Sequence, residues 1–405
     1  MRVLFLTDLF PNANEPSRGI FNLSRAKALH SLGCEVKVVS PVDMVPPRAS
    51  LLPKPVPRRL CDFLRIKGGI PYQYLFEGFE VYAPRWYRLP RSFFWSREAD
   101  LLHFFAGSAI RRVVRDFSPD VILSSWLHPY GTYAKYLKRY VDVPVFCFAE
   151  GSDVLTMPEL YRGWSTIKRT IDAYLDEVIL ISRAMERVIS EKRKFRAQVV
   201  VVDGFDEELF RYKGPPPEHG GFQLLSIGNL WPVKGHDLLI KAMPLLSHMV
   251  TLTIVGRGES MNDLIELADR IGVLDRVYFP GLVPHEKVVE FIYSADLLCM
   301  PSRSDAQPAA ALESLACGRP VVATKVGGLV DLIRDGVNGY LADPESPESL
   351  AACIDKALDD QWDYEDIAVH AAREFGWKRS VKQVLEYVKE HTGNVEPGNG
   401  RRMNP

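Results

Sequence analysis

The sequence has no long apolar run and almost no net charge. No window approaches the roughly 18 to 20 consecutive apolar residues that a membrane-spanning helix needs, so an integral membrane protein is not expected. Because 50 basic residues balance 51 acidic ones, a chain that binds polyanions over its whole surface is not expected either. The opening segment MRVLFLTDLF stops being apolar too early for a signal peptide, and we expect it to form a buried first strand.

Cysteine is also sparse. The six cysteines form no CxxC pair and no Cys/His cluster at metal-ligand spacing, and most of them lie in apolar runs. We therefore expect buried thiols in a reducing cytosol, and neither a disulfide framework nor a zinc site. The sequence contains no internal repeat of solenoid period.

What the sequence does contain, in both halves, is an alternation of short β-branched apolar runs with amphipathic stretches. This pattern is typical of βαβ units and parallel sheets, and 405 residues suit two domains. The predicted fold class is α/β, with two doubly wound, Rossmann-like domains. Strands are predicted at 3–7, 36–40, 121–124, 143–149 and 178–182, and again at 224–228, 252–255, 277–279, 297–300 and 321–323.

The proline- and glycine-rich segment 212–221 marks the break between the two halves. We expect residues 1–205 to form the first domain and residues 206–377 the second, with a C-terminal helix at 378–391 packing back on the first. Residues 392–405 lack apolar periodicity and are expected to be a disordered tail. Two such domains should face a central cleft lined by the carboxyl ends of strands, where open α/β sheets bind ligands.

The most informative segment is MPSRSDAQPAAALESLACGRPVVATKVGGLVDLIRDGVNGY, at 300–340. A predicted strand ends near Met300, and Pro308 stands where a helix can begin. The free N–H groups and dipole of such a helix suit a phosphate. Glu313, one to two turns into the helix, could accept two hydroxyl hydrogens, as the vicinal hydroxyls of a ribose require.

Taken together, these features resemble the signature of the family 4 retaining glycosyltransferases, which have the GT-B fold. That signature has two acidic residues separated by seven, here Asp305 and Glu313, followed by a small-residue helix, G-x-P-V-V and a Gly-Gly loop. The resemblance extends to segments 202–210, 226–242, 254–259, 277–283 and 375–377. It implies a cytoplasmic enzyme of polysaccharide or glycoconjugate biosynthesis that uses a nucleotide-diphosphate sugar as donor and no cofactor.

Carried over by position, the resemblance implies that Lys234 neutralises the donor diphosphate and that Glu313 holds the nucleotide ribose. The other donor-side residues are expected around the sugar and the base: Asp305 with the backbone of Ala306 and Gln307, and Gly256 with Arg257. No Asp-x-Asp pair occurs in the loops expected to face the cleft, so no metal site is predicted.

Two departures from the family pattern affect this donor site. Asn229 stands where the family usually has an arginine that supplies a second cation to the phosphates. Asp305 is shorter than the usual glutamate. Lys325 and Arg257 fall in other loops expected near the cleft, and either could supply part of the missing charge.

The first half resembles the acceptor-side domain of the same family. Gly19 stands where the first loop approaches the donor phosphate. The segments 126–131 and 148–155 are similar to two further loops that reach the cleft. Where many relatives have a histidine, this chain has Glu150, which can accept hydrogen bonds from sugar hydroxyls or stabilise positive charge at the anomeric carbon. His128 could replace the missing imidazole, or it could be a structural histidine.

Residues 45–115 contain 13 Lys and Arg against 5 Asp and Glu, and aromatic residues are interleaved with the basic ones at 82–97. Two interpretations stay open for this segment. It could form a peripheral face on the inner side of a membrane, or a site for a lipid-linked or anionic acceptor. It could equally be a solvated insertion whose aromatic residues pack on the domain. No nucleic-acid-binding module accompanies it.

The sequence therefore predicts a metal-independent retaining glycosyltransferase with a glycan, lipid-linked or small-molecule acceptor. The alternative is a non-catalytic sugar-nucleotide-binding or scaffold protein of the same fold, suggested by Asn229, Asp305 and Glu150. An epimerase or phosphorylase is disfavoured, because no lysine motif for a pyridoxal cofactor is present and the acidic pair Asp305 and Glu313 resembles that of the transferases.

Overall fold

A computed structural model describes residues 1–44, 66–89, 94–155, 163–189, 199–200, 204–218, 220–306 and 308–392. The chain forms two compact units. The first contains Met1–Ile181, Met185–Val201 and Val381–Pro405, and the second contains Ser182–Ala184 and Val202–Ser380. Of the tail predicted to be disordered, residues 393–405 lie outside the described residues.

The first unit is built on parallel strands that alternate with helices. Its strands are β1 (Arg2–Leu6), β2 (Glu35–Val39), β3 (Val42–Asp43), β4 (Gln73–Phe76), β5 (Phe79–Tyr82), β6 (Arg85–Trp86), β7 (Val121–Ser125), β8 (Val145–Ala149), β9 (Glu177–Leu180) and β10 (Val199–Val200). Its helices up to the second unit are α1 (Ile20–Ser31), α2 (Glu98–Phe117), α3 (Ala134–Tyr140), α4 (Ser152–Leu155), α5 (Trp164–Tyr174) and α6 (Arg183–Val188).

Eight of these strands form one sheet in the order β10-β9-β8-β7-β1-β2-β5-β4. All neighbours are parallel except β4, which is antiparallel to β5. The central strands β7 and β8 are buried along their whole length, which explains why they are apolar without alternation. The chain runs from β1 outward to β2 on one side and returns to place β7 on the other, so the strand order reverses beside β1.

The segment that the sequence showed as a basic insertion contains ordered structure. β4 and β5 form a hairpin whose two loop residues, Glu77 and Gly78, both have positive φ angles of 45° and 86°. β6 pairs with β3 in a separate two-stranded sheet. Trp86 on β6 and Trp95, just before α2, are fully buried, so these aromatic residues pack inside the unit.

The second unit repeats the plan with a sheet that is parallel throughout. Its strands are β11 (Phe222–Ile227), β12 (Val250–Val255), β13 (Val277–Gly281), β14 (Leu297–Met300), β15 (Val321–Thr324) and β16 (Gly339–Ala342). Its helices are α7 (His236–Ala242), α8 (Met261–Arg270), α9 (His285–Ser294), α10 (Ala309–Ala316), α11 (Leu329–Leu332), α12 (Pro347–Asp359) and α13 (Tyr364–Phe375).

The strand order of this sheet is β13-β12-β11-β14-β15-β16. The first three strands extend in one direction and the last three in the other, so the order reverses between β11 and β14. Successive residues of a strand belong to different hydrophobic clusters: Leu224 packs in one and Leu225 in the other. This alternation shows that apolar layers cover both faces of the sheet. The predicted α/β class, with two doubly wound parallel sheets, is confirmed.

The last helix, α14 (Trp377–Thr392), returns the chain to the first unit. Tyr387 donates a hydrogen bond of 2.6 Å to the buried carboxylate of Glu177, and its ring packs against Phe146. Phe205, which the sequence assigned to the first domain, instead pairs through its backbone with Gly376 in the second unit. Among the described helices, none is both long and apolar enough to cross a membrane.

Candidate functional site

The two loops at the strand-order reversal of the second sheet carry the residues predicted to bind the donor. One loop follows β11 and spans 228–235, and the other follows β14 and spans 301–308. Neighbouring parallel strands whose connections leave in opposite directions open a crevice at their carboxyl ends, where ligands of such sheets bind. Lys234 lies in the first loop and Asp305 in the second, so sequence positions 71 residues apart meet at one place.

Lys234 and Asp305 form an ion pair. Lys234 Nζ lies 2.6 Å from Asp305 Oδ2, which also accepts a hydrogen bond of 3.2 Å from the Ser302 hydroxyl. The Asp305 side chain is 5% exposed, whereas that of Lys234 is 25% exposed. The lysine is therefore the solvent-facing member of the pair and the aspartate its buried support.

Glycines allow the loops around this pair to approach closely. Gly235, with φ at +67°, lies so near the Pro301 carbonyl that a Cβ would be 1.9 Å from its oxygen. Gly327, with φ at +53°, has the same relation to the carbonyl oxygen of Asp305, at 1.8 Å. Gly328 N–H then donates to that oxygen over 2.9 Å. Only glycine fits positions 235 and 327 without moving the backbone that presents Lys234 and Asp305.

Glu313 lies on α10, in the helix predicted after Pro308, and its side chain is almost buried. Its Oε1 accepts a hydrogen bond of 2.8 Å from Nε2 of His285, the first residue of α9. Burial acts to lower the pKa of His285, but the hydrogen bond to Glu313 and its negative charge together outweigh burial, so the pKa lies above the usual value. Sequence reasoning did not single out His285, because nothing in its local pattern marks it.

The loop after β12 packs against the loop after β11. Gly256 approaches so closely that a Cβ would be 1.8 Å from the carbonyl oxygen of Gly228, and Leu230 N–H donates to the Arg257 carbonyl over 3.0 Å. The side chains of Arg257 and Asn229 are both exposed. Arg257 makes no ion pair within the described chain. It is therefore available as a cation near Asn229, which is neutral where the family pattern has an arginine.

The remaining donor-side predictions have different outcomes. Ala306 is half-buried beside Gly328, and its carbonyl packs against that glycine. Gln307 lies outside the described residues. Lys325, suggested as a substitute cation, forms an ion pair of 2.9 Å with Asp343 on the surface. Its charge is therefore partly offset where it stands.

In the first unit, Glu150 follows β8 and is held by an arginine. Arg25 Nη1 lies 2.6 Å from Glu150 Oε1, its Nη2 lies 3.3 Å from Oε2, and the Ser125 hydroxyl donates to Oε1 over 2.7 Å. Both charged side chains are almost fully buried, at 2% and 6% exposure. The negative charge of Glu150 is thus neutralised by Arg25 on α1, a partner that the sequence did not indicate.

Both ring nitrogens of His128 are engaged inside the first unit. Nδ1 lies 2.8 Å from the Thr132 hydroxyl, and Nε2 lies 2.5 Å from the Trp95 carbonyl. The residue is buried, and its ring packs against that of Trp95. This environment is that of a structural histidine.

Asp153 joins the two loops that the sequence predicted to reach the cleft. One carboxylate oxygen accepts from Leu127 N–H over 2.8 Å, and the other accepts from Glu150 N–H over 3.0 Å. Burial raises the pKa of Asp153 to about 7. Gly19 begins α1 with φ at +64°, and a Cβ there would be 2.1 Å from the Leu9 carbonyl oxygen, so the first loop also folds tightly around a glycine.

The described residues contain no group of three or more His, Cys, Asp or Glu side chains that could hold a metal ion. The Lys234–Asp305 pair and the exposed Arg257 are charged side chains at the ends of β11, β12 and β14. Lys234 and Arg257 can bind an anionic ligand, and Glu313 can accept hydrogen bonds from hydroxyl groups.

Comparison with known proteins assigns most of the chain to known families. Residues 211–375 match the family model described as "Glycosyl transferases group 1", and residues 22–203 match the one described as "Glycosyl transferase 4-like domain". The chain is 25% identical over 367 residues to a protein of Bacillus subtilis provisionally named teichuronic acid biosynthesis glycosyltransferase TuaC. That match covers 87% of this chain and 88% of the relative.

Solved structures show the same fold. Sucrose-phosphate synthase from Thermosynechococcus elongatus superposes with a TM-score of 0.76 at 17% identity, covering 98% of this chain and all of that one. HepE from Anabaena, solved in complex with UDP and glucose, superposes with a TM-score of 0.66 at 20% identity and covers 96% of this chain and all of that one. The expected GT-B fold is confirmed.

The His285–Glu313 pair predicts a pH-dependent contribution to stability. A folded-state pKa above the ordinary value of about 6.5 means that folding favours the protonated imidazole. The stabilisation is therefore present in full below that value and is lost as the pH rises through the folded-state pKa. We expect His285→Gln to lower the free energy of unfolding by about 1 kcal/mol or more at pH 6 and by clearly less at pH 9, as measured by urea unfolding.

His248→Gln is the matched control, because His248 pairs with Asp359 at 3.0 Å on the surface, where the carboxylate is 69% exposed. Its effect should be small at both pH values. An equal loss for His285→Gln at pH 6 and pH 9 would show that the proton on His285 contributes nothing.

Proposed function

The chain belongs to the group 1, family 4-type glycosyltransferases of the GT-B fold, and from that premise we propose that it transfers a sugar with retention and without a metal ion. The donor would be a nucleoside diphosphate sugar, and the acceptor a glycan, a lipid-linked sugar or a small molecule. The observation that carries the proposal is the Lys234–Asp305 pair at the reversal of strand order.

Lys234 suits the leaving diphosphate. An ammonium group has three donors, so Lys234 can keep one on Asp305 and direct the others at phosphate oxygens. Breaking the sugar–phosphate bond places negative charge on the diphosphate, and a fixed cation stabilises that charge as it develops. The buried Asp305 fixes the cation in place before the donor arrives. HepE, a structural neighbour with the same fold, was solved with UDP and glucose, which is consistent with this type of donor.

Glu313 suits the nucleotide ribose. His285 occupies Oε1, and within the described chain no hydrogen bond is recorded to Oε2, so this oxygen has capacity for a ribose hydroxyl. Because His285 fixes the orientation of the carboxylate, the ribose contact would need little rearrangement. In this proposal His285 is a positioning residue: it acts through Glu313 and does not contact the sugar.

Contact with an anionic membrane is a further part of the proposal, on a face that includes only part of the segment 82–97 first expected. Trp86 and Trp95 are buried, and Arg88 is tied to Asp43 and Glu98, so these three residues of segment 82–97 are not available. Arg91 and Phe93 lie outside the described residues.

The exposed aromatic residues lie on and beside α2. Phe104 is 79% exposed and packs edge-on against Phe105, which in turn contacts the exposed Tyr87. Arg97 immediately precedes the same helix, and its side chain remains 73% exposed although it lies 3.5 Å from Asp100. Exposed aromatic rings beside basic residues suit the interface of a bilayer with anionic head groups. We call this surface, formed by Tyr87, Arg97, Phe104 and Phe105, the α2 face.

Replacement of the donor-site lysine tests the catalytic proposal. Lys234→Ala should reduce the turnover of a nucleotide sugar by about a hundredfold or more, equivalent to roughly 3 kcal/mol, because it removes the main cation facing the leaving group. Lys241→Ala is the control, since Lys241 is an exposed lysine that pairs with Asp237 within α7. A Lys234→Ala enzyme within a few-fold of wild type would contradict the assignment. Wild-type protein that binds UDP, GDP or ADP but turns over no donor would favour the non-catalytic alternative.

Metal independence is tested by chelation. If Lys234 and backbone N–H groups take the place that a metal ion fills in other transferases, turnover should be unchanged after exhaustive treatment with EDTA. Turnover is measured before chelation, after it, and after the addition of magnesium or manganese. Activity that disappears on chelation and returns with either ion would refute the proposal.

The α2 face is tested with vesicles. Wild-type protein should co-sediment with vesicles of phosphatidylglycerol and phosphatidylcholine at low salt, and 0.5 M salt should release it, as roughly 1 kcal/mol per basic residue near the surface implies. The triple variant Arg97→Gln, Phe104→Ser, Phe105→Ser should lose most of this binding. Tyr278→Ser, which removes an aromatic residue that is 62% exposed in the second unit, should retain it. Absence of wild-type binding at low salt would show that the α2 face is ordinary surface.

A further inference from the structure

A polar cavity of about 200 Å³ lies in the first unit, apart from the Arg25–Glu150 pair and from His128. Its walls come from the loop between β1 and α1, from the residues that follow β2, and from the segment around the β4–β5 hairpin. This volume is below the roughly 300 to 1,000 Å³ of pockets that hold drug-sized ligands, so the cavity suits a small ligand such as one monosaccharide ring. We call it the loop cavity.

The charged side chains that line the loop cavity are equal in number and already paired. The carboxylates are those of Asp8, Glu15 and Asp43, and the cations are Arg18, Lys67 and Arg88. Arg18 lies 3.8 Å from Asp8 and 3.7 Å from Glu15, Lys67 is bonded to Glu15, and Arg88 lies 3.2 Å from Asp43. A phosphate or carboxylate ligand would have to displace these carboxylates and would be repelled by them. The cavity therefore favours a neutral ligand.

Hydroxyl-binding groups remain available in the cavity wall. The Asn12 side-chain oxygen accepts from the backbone N–H groups of Asn14 and Glu15 at 3.0 and 3.1 Å, which leaves its amide hydrogens without a recorded partner in the described chain. Asn12 is only 4% exposed. Ser40 is 5% exposed, and its hydroxyl likewise makes no hydrogen bond within the described chain. Within the described chain the Asp8 carboxylate accepts no hydrogen bond, and its distance to Arg18 is 3.8 Å.

Aromatic rings complete the lining. Phe10 is almost fully buried, and the Tyr74 hydroxyl donates to the Pro11 carbonyl over 3.0 Å, which fixes the ring. A pyranose presents apolar C–H groups on one face and hydroxyls around its rim. A fixed aromatic surface together with carboxylate, amide and hydroxyl groups matches both features.

We propose that the loop cavity binds one neutral, polyhydroxylated sugar ring of the acceptor. The inference rests on the proposed glycosyl transfer and names the class of its acceptor. The loop between β1 and α1 that supplies Asp8, Asn12 and Arg18 also contains Gly19, the residue expected to approach the donor phosphate. The cavity lies wholly within the first unit, whose sequence resembles the acceptor-side domain of the family, so we assign the bound sugar to the acceptor.

Saturation-transfer NMR on the full-length protein tests this inference. The probes are methyl α-glucopyranoside, methyl α-galactopyranoside, N-acetylglucosamine and myo-inositol, with inorganic phosphate and glycerol 1-phosphate as anionic competitors. At least one neutral probe should receive saturation, and neither competitor should displace it. Asp8→Asn and Ser40→Leu should each weaken its binding by about tenfold or more, the first by removing a charged acceptor and the second by filling the cavity.

Asp116→Asn is the matched control, because Asp116 is an exposed carboxylate of the same unit that pairs only with its neighbour Arg115. It should bind the neutral probe like wild type. Saturation of none of the neutral probes, displacement by phosphate or glycerol 1-phosphate, or unchanged binding by both cavity variants would each overturn the inference. The thermal shift of wild-type protein with UDP, GDP and ADP reports the donor site separately, so failure of the cavity and failure of the proposed transfer are distinguishable.

Discussion

The ion pair between Lys234 and Asp305 is the contact on which the proposed donor site depends. It joins the loops that follow β11 and β14, the neighbouring strands at which the order of the second sheet reverses. The reversal supplies the crevice, and Gly235 and Gly327 let the surrounding backbone close in. The aspartate is buried and the lysine half-exposed, so the charge offered to a ligand is positive. Asp305 is shorter than the usual glutamate, and Asn229 is neutral. Neither departure changes the positive sign of the charge that Lys234 exposes.

The two units differ in how completely their charged side chains are neutralised by partners. Glu150 stands where the family resemblance predicts a histidine, and it is enclosed with Arg25 and Ser125, so its charge is neutralised inside the protein. Burial of such a pair is costly unless its hydrogen bonds are satisfied, and here both carboxylate oxygens have partners. The loop cavity likewise contains carboxylates that are balanced by cations. At these two places the first unit therefore has hydrogen-bonding groups with little net charge, whereas in the second unit Arg257 makes no ion pair within the described chain and Lys234 is partly exposed beside its single carboxylate partner.

The sequence predicted the positions of the strands better than it predicted the contacts between side chains. All ten predicted strands are present, with ends displaced by no more than two residues, because buried parallel strands leave apolar runs that can be seen locally. The short strands β3 and β6 and the hairpin of β4 and β5 were missed, since their residues are mixed in polarity. For Trp86 and Trp95 the sequence left open a membrane-facing surface or packing on the domain, and the structure shows that both pack in the core. His285, Arg25 and Asp153 act through partners distant in sequence, which no local pattern reveals.

The return of α14 to the first unit has a consequence for how the protein is made. Val381, Val384 and Val388 are buried on that helix, and Tyr387 donates a hydrogen bond to Glu177, so the core of the first unit includes residues from the last described helix. A ribosome delivers residues in order, and the second unit is nearly continuous in sequence. The first unit therefore keeps an apolar surface uncovered until α14 has been synthesised, which happens after synthesis of the second unit. The first unit is therefore synthesised before the second, but its core is completed after the second unit has been synthesised.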